Sequence, residues 1–178
     1  SGKNLREVFE ELFASGYRIV VAVVFPVSGG KIWEFDEVLE GVRMYKENLG
    51  GNAKILENFS DLDENILNVI IGLEGCYFSD IKIYEKLYEE GVRLFGLTWN
   101  IPSKVSGSCE DGKGLTDFGI EFISWAKERR ALIDLAHSSY DAILGTLEIF
   151  EGAIYSHGGV LKNPKNMRNL NFEIAGEI

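Results

Sequence analysis

Short apolar runs alternate along this chain with segments whose apolar residues recur at helical spacing, and this alternation restricts the fold more than any other feature. Each run is short enough to be a strand buried on both faces of a sheet. The runs cover residues 18–25, 68–73, 94–99, 131–135 and 153–155. Strands that alternate with helices predict an α/β fold in which the strands form a parallel sheet.

Five segments of helical period precede or separate these runs. Their apolar positions are Leu5, Phe9, Leu12 and Phe13; Val38, Val42 and Tyr45; Ile81, Tyr84, Leu87 and Tyr88; Phe118, Phe122, Ile123 and Trp125; and Ile143, Leu147 and Phe150. The predicted N-caps are Asp36, Asp80, Thr116 and Ser138, and the glycines predicted to follow helix ends are Gly16, Gly50, Gly91 and Gly152. Because the chain has no internal repeat and only three prolines, we interpret residues 1–178 as a single domain.

The charge balance argues against several classes of partner. With 28 acidic and 18 basic side chains the formal charge is −10, and no Lys/Arg cluster is present to contact phosphates, so neither nucleic acid nor a membrane surface is expected to bind. Two cysteines far apart in the sequence do not suggest a disulfide framework. No apolar run approaches the roughly 20 residues that span a bilayer. These features predict a cytoplasmic protein.

Polar side chains stand at the ends of the predicted strands. Glu74, Asn100, His137 and His157 each follow a different apolar run, and the two histidines are the only ones in the chain. Ligands of parallel α/β folds bind at the edge where the carboxyl ends of the strands meet. The sequence therefore predicts a functional site formed by these residues.

One carboxylate and two imidazoles are ligands that bind zinc, and they also suit cobalt or manganese. We therefore predict that Glu74, His137 and His157 hold a metal ion. The alternative is that each histidine only bonds a backbone carbonyl while Glu74 is a solvated loop residue. The joint placement of the three residues favours the metal.

Three further side chains have open interpretations. Asp134 lies three positions before His137 and points to the opposite face of the strand, so it orients a metal ligand, contacts a helix or makes a structural hydrogen bond. Arg168 is either a surface charge or a fork for a substrate carboxylate. Cys76 is a weak candidate for a nucleophile, since nothing in its sequence neighbourhood marks it as exposed or close to positive charge.

Taken in order, six segments resemble the membrane dipeptidase (renal dipeptidase) family of zinc metallopeptidases, which have amidohydrolase-like barrels. The segments are IGLEG at 71–75, GVRLFGLTWN at 91–100, GLTDFG at 114–119, LIDLAHSS at 132–139, YSHGG at 155–159 and NMRNL at 166–170. Their order and spacing fit the family over roughly residues 12–178. Six ordered segments are far more specific than any single one.

The resemblance implies a (β/α)8 barrel and a zinc-dependent dipeptidase, in which a metal-activated hydroxide hydrolyses the peptide bond of free dipeptides. It implies that Glu74 bridges two metal ions as the catalytic carboxylate, and that His137 and His157 hold the second ion. It also implies that Arg168 binds the carboxylate of the dipeptide substrate, and that Asn100 and Trp99 also bind the substrate. Trp99 occupies a position where family members carry either His or Trp.

The chain also departs from the family. No histidine precedes His137, so the family's first ligand pair, an H-x-D near the N-terminus, is absent, and so is its late aspartate. A full barrel needs about 250 residues. We therefore expect about five strands of an incomplete (β/α)8 barrel, cut at both ends, with Ser1-Gly2 as a cloning remnant.

Alternative functions follow from these departures. One is a non-catalytic fragment or diverged barrel relative without a complete metal site. Its unpaired strand edges would lead it to form a homodimer or a segment-swapped oligomer. Another is a different metal-dependent amidohydrolase.

Overall fold

The computed structural model describes residues 4–162, 166 and 168–178, and helices alternate with strands along it as predicted. The chain-start dipeptide Ser1-Gly2 lies outside the described residues. The helices are α1 (Leu5–Ala14), α2 (Phe35–Glu47), α3 (Ile81–Glu89), α4 (Asp117–Arg129), α5 (Tyr140–Ile149) and α6 (Phe172–Ala175). The strands are β1 (Ile19–Val24), β2 (Val27–Ser28), β3 (Lys31–Ile32), β4 (Ala53–Ile55), β5 (Leu67–Glu74), β6 (Val92–Gly96), β7 (Leu132–Asp134) and β8 (Ala153–Ile154). No helix in the described part combines the length and apolar composition needed to cross a membrane.

The chain divides into two compact units. The first comprises Ser1–Leu73 and Lys82–Arg93, and the second comprises Glu74–Ile81 and Leu94–Ile178. The interpretation of residues 1–178 as a single domain stays a prediction. All the predicted site residues belong to the second unit.

The first unit is organised around β5, which pairs in parallel with β1 on one side and with β4 on the other. Its seven residues from Leu67 to Leu73 are buried, as expected of a strand whose apolar run has no alternation. Helix α1 packs over these strands through Phe9, which is buried with Ala22. Strand β4 was not predicted, because three residues without a clear apolar run form a strand only where a neighbouring strand supplies hydrogen bonds.

The second unit contains parallel pairs of β6 with β7 and of β7 with β8. Phe95 of β6 lies edge-on to Phe122 and Trp125 of α4, with ring centroids 5.8 and 5.7 Å away. These rings form part of the buried core of the second unit. In the described ranges six strands are paired in parallel, with helices between them along the chain, which agrees with the predicted α/β class.

The predicted helix starts are partly correct. Thr116 caps α4, where its side chain accepts a hydrogen bond from the Gly119 backbone N–H. The prediction of Ser138 is wrong by one residue, because the Ser138 N–H closes a turn onto Leu135 and Ser139 becomes the cap of α5. The prediction of Asp36 is also wrong, since α2 begins at Phe35 and Asp36 already lies in its first turn.

Candidate metal centre

Glu74 ends β5, and the chain turns immediately after it. The Gly75 N–H donates to the Gly96 carbonyl and the Cys76 N–H donates to the Leu97 carbonyl, so the turn is held by backbone hydrogen bonds. Gly75 has a φ of +115°, which side chains rarely adopt. This geometry directs the Glu74 carboxylate, which is partly exposed, toward the ends of the following strands.

A Cβ atom at position 75 would clash with Cε2 of the Tyr77 ring. We expect Gly75→Ala to lower the free energy of unfolding by roughly 1–3 kcal/mol, because the substitution adds backbone strain and a clash. Chemical denaturation measures this change. Gly51→Ala is the matched control, since nothing lies within 4 Å of the position that its methyl group would occupy. Equal stability of the two variants would contradict the expectation.

His137 and His157 follow two adjacent parallel strands, β7 and β8. His137 is 5% exposed and has a φ of +69°, an uncommon conformation for a residue that is not glycine. Its carbonyl accepts a hydrogen bond from the Cys109 N–H at 2.8 Å, which supports this conformation. Such backbone conformations concentrate at functional sites. The His157 side chain is 49% exposed.

The three predicted ligands converge on one point. The Nε2 atom of His137 lies 3.0 Å from Glu74 Oε1, the Nε2 atom of His157 lies 3.7 Å from the same oxygen, and the two Nε2 atoms are 2.9 Å apart. Ligands about 2.05 Å from a tetrahedral zinc ion are separated by about 3.3 Å. The donor types and their spacing therefore fit a divalent cation.

The electrostatics of Glu74 favour its charged form. Its pKa lies below the usual value chiefly because His137 donates a hydrogen bond to it, and burial opposes this effect. Electrostatic interactions with His137, His157 and Arg168 lower the pKa of Glu74 further. The carboxylate is thus held in the form that binds metals.

Asn100 and Trp99 both lie beside His137. Asn100 Oδ1 is 2.8 Å from His137 Nδ1, the ring nitrogen that faces away from Glu74. The Trp99 ring is centred 5.9 Å from the His137 ring, and its backbone N–H donates to the Tyr77 hydroxyl. Burial raises the pKa of Tyr77 to about 12, so this hydroxyl stays protonated. Substrate contact through Asn100 and Trp99 stays a prediction.

Arg168 lies in a turn anchored by two hydrogen bonds. Its N–H donates to Asn166 Oδ1, and its carbonyl accepts from the Tyr155 hydroxyl at 2.7 Å. Its Nη1 atom is shielded from solvent and has no hydrogen-bond partner within the described part of the chain. The interpretation of Arg168 as a surface charge does not account for this one shielded nitrogen. Asn163, Pro164, Lys165 and Met167, which flank this turn in the sequence, lie outside the described residues.

Ser156 is a site neighbour that the sequence analysis did not identify. Its hydroxyl contacts both the Asp134 carboxylate and His157 Nδ1. Asp134 therefore accepts a hydrogen bond from Ser156, and Ser156 in turn contacts the predicted ligand His157. This contact fits both a structural hydrogen bond and a role in orienting the ligand. The only signal in the sequence is the position of Ser156 directly before His157. Cys76 is fully buried, which argues against its role as a nucleophile.

Comparisons with known proteins agree on one family. A sequence model of the membrane dipeptidase family (peptidase family M19) matches residues 21–174. An uncharacterised protein of Acinetobacter calcoaceticus, from the region 3′ of PQQ-III, is 26% identical over 156 residues, which cover 70% of this chain. The chain spans 50% of the length of that relative.

Two solved structures have the same fold. An amidohydrolase from Pseudomonas aeruginosa superposes with a TM-score of 0.85 at 19% identity, over 99% of this chain and 57% of the other. A metallopeptidase from Rhodobacter sphaeroides, solved with a phosphinate mimic of the dipeptide L-Ala-D-Ala, superposes with a TM-score of 0.81 at 13% identity, over 95% and 60% of the two chains. These likenesses confirm the predicted fold class.

Proposed function

This chain belongs to the membrane dipeptidase family, and from that premise we propose that it forms part of a zinc-dependent enzyme that hydrolyses free dipeptides. Glu74, His137 and His157 would hold the metal. The observation that carries the proposal is the convergence of one carboxylate oxygen and two imidazole nitrogens within 4.8 Å of one another. A single cation could be bound at the position that these three atoms share, and when none is bound the 2.9 Å between the two Nε2 atoms is the distance of an N–H···N hydrogen bond.

A bound divalent ion would supply Lewis-acid polarisation of the scissile carbonyl and lower the pKa of a water molecule. The chain's own residues would prepare the site for it. The negative charge of Glu74 would reduce the electrostatic repulsion between two bound cations. His137 and His157 would bring imidazole nitrogen ligands, whose Nε2 atoms both lie near the same oxygen of Glu74.

Arg168 would select substrates with a free carboxylate. Its solvent-shielded Nη1 has no hydrogen-bond partner among the described residues, and burial of such a donor costs about 1–3 kcal/mol unless an acceptor reaches it. A dipeptide carries such an acceptor one residue beyond the scissile bond, and a guanidinium binds a carboxylate through two parallel hydrogen bonds. The dipeptide mimic bound by the Rhodobacter sphaeroides metallopeptidase is of the same chemical class.

The rival proposal is a non-catalytic barrel relative or a different metal-dependent amidohydrolase. Within the described residues one group of candidate ligands is found, with three members, and a two-metal site needs more ligands than these. The chain spans 50% of the length of the Acinetobacter calcoaceticus relative. Both proposals share the three-residue site but differ in what surrounds it.

Hydrolysis assays separate these proposals. We expect the 178-residue chain with added zinc to hydrolyse an unblocked dipeptide far more slowly than a longer protein does. This longer protein contains the 178 residues and has the full length of a relative. The reason is that half of a two-metal site cannot clamp the attacking and leaving groups. An inactive longer version that still binds zinc would favour the rival proposal. Comparable turnover by both proteins would show that the ligands have been misplaced.

A further inference from the structure

The contacts of Ser156 determine which ring nitrogen of His157 carries the proton. Ser156 Oγ donates its hydrogen to Asp134 Oδ2, and this carboxylate oxygen accepts it. The hydroxyl has one hydrogen, so its remaining contact, at 2.8 Å to His157 Nδ1, must be one in which Ser156 accepts. His157 Nδ1 is therefore the donor, and its Nε2 atom is left with a lone pair.

Asp134 is fixed in a way that maintains this direction. It is 6% exposed, and its Oδ1 atom accepts from the backbone N–H groups of Ala136 and Ser156 at 3.0 Å each. Only Oδ2 faces the Ser156 hydroxyl. The two backbone donors require an acceptor at Oδ1, so the carboxylate cannot rotate without losing both bonds.

We propose that Asp134 and Ser156 form a relay that holds His157 in the Nδ1–H tautomer and keeps its Nε2 atom available to a metal. Asp134 acts through Ser156, so both are positioning residues. The proposal rests on the metal site proposed above and assigns two residues to its support. Outer partners of this kind orient metal-binding imidazoles and raise their basicity.

Two variants act on the relay in opposite ways. Ser156→Ala removes the hydroxyl but keeps the backbone N–H, so His157 Nδ1 loses its partner and both tautomers become populated. Asp134→Asn reverses the relay. Its amide oxygen must stay at the Oδ1 position to accept from the backbone, so its NH₂ group faces Ser156 and donates. Ser156 then donates to His157 Nδ1, which forces the proton to Nε2.

The test is ¹⁵N NMR of the metal-free chain at a pH where the imidazoles are neutral, combined with zinc titration by calorimetry. The chain has only two histidines, so each ring is readily assigned. We expect Nδ1–H for His157 in the unaltered chain, a mixture in Ser156→Ala and Nε2–H in Asp134→Asn. We expect zinc affinity to fall by about three- to tenfold in Ser156→Ala, since water can reach this exposed position, and by roughly tenfold or more in Asp134→Asn.

Ser138→Ala is the matched control. Its hydroxyl is buried next to His137 and has no hydrogen-bond partner in the described ranges, so its loss should change neither tautomer nor zinc affinity. Ser156→Thr keeps a hydroxyl and should restore both. A purely structural role would lower the melting temperature without moving the tautomer, which would overturn the proposal. So would an unaltered chain with Nε2–H at His157.

The two proposals fail separately. If the unaltered chain binds no zinc but shows the expected tautomers, the relay stands and the metal site does not. If it binds zinc and Asp134→Asn leaves the His157 tautomer unchanged, the metal site stands and the relay does not.

Discussion

Replacing His137 by alanine is expected to abolish stoichiometric zinc binding by this chain. We expect the unaltered chain to bind at most one zinc ion, and weakly, because a catalytic zinc has three protein ligands and Glu74, His137 and His157 are the three that converge. Removal of one ligand should lower the affinity by roughly 100-fold or more, beyond the 10- to 100-fold typical of outer partners. Metal analysis of the purified protein and calorimetry measure the effect.

Alanine at position 137 also leaves a cavity that could destabilise the chain. A second variant therefore distinguishes loss of a ligand from loss of the fold. Glu74→Gln keeps the side-chain volume and removes the negative charge, and it should lose zinc to a comparable extent. Glu128→Gln is the matched control, since this carboxylate lies on the exposed side of α4. Stoichiometric zinc in His137→Ala would mean that the metal is bound by other residues.

Replacing Arg168 by lysine is expected to reduce kcat/KM for a free dipeptide by roughly one to two orders of magnitude, about 1.4–2.7 kcal/mol, in a longer version of the protein. Lysine keeps the positive charge but cannot reproduce the planar fork that binds both carboxylate oxygens. The solvent-shielded Nη1 atom makes this contact stronger than an exposed one would be. Steady-state hydrolysis of an unblocked dipeptide measures the change.

A dipeptide amide separates substrate binding from structural support. It lacks the terminal carboxylate, so it should be a poor substrate from the outset and the Arg168→Lys change should hardly affect its hydrolysis. Arg43→Lys, an exposed position on α2, should change neither rate. Equal losses on both substrates would show that Arg168 only supports its loop, and the dipeptide selectivity would then rest on family membership alone.

The main strands and helices could be predicted from the sequence because their signals are local. The apolar run that becomes β5 and the periodic residues of α4 are determined by neighbours within a few positions. The predicted cap of α5 was wrong by one residue, because Ser138 and Ser139 are both good caps and the turn before α5 determines which of them caps the helix. Strand β4 was missed because its three residues lack a clear apolar run and form a strand by pairing with β5.

The candidate ligands were also accessible from sequence, since polar residues that end buried strands of a parallel sheet must share one edge. Glu74, His137 and His157 were identified on that basis, and the six ordered segments pointed to the family. Spacing along the chain could not reveal that Asn100 contacts His137 Nδ1, or that Arg168 keeps a shielded nitrogen without a partner in the described part of the chain.

The sequence by itself determined the α/β class, the order of the elements and the kinds of side chain at the strand ends, because hydrophobic period and residue type are properties of short stretches of chain. Only the tertiary structure decided which atoms meet and in which direction each hydrogen bond runs. Asp134 and Ser156 belong to different strand ends, and the protonated nitrogen of His157 follows from their contact. A hydrogen bond depends on distances of a few tenths of an ångström, which packing of the whole unit determines.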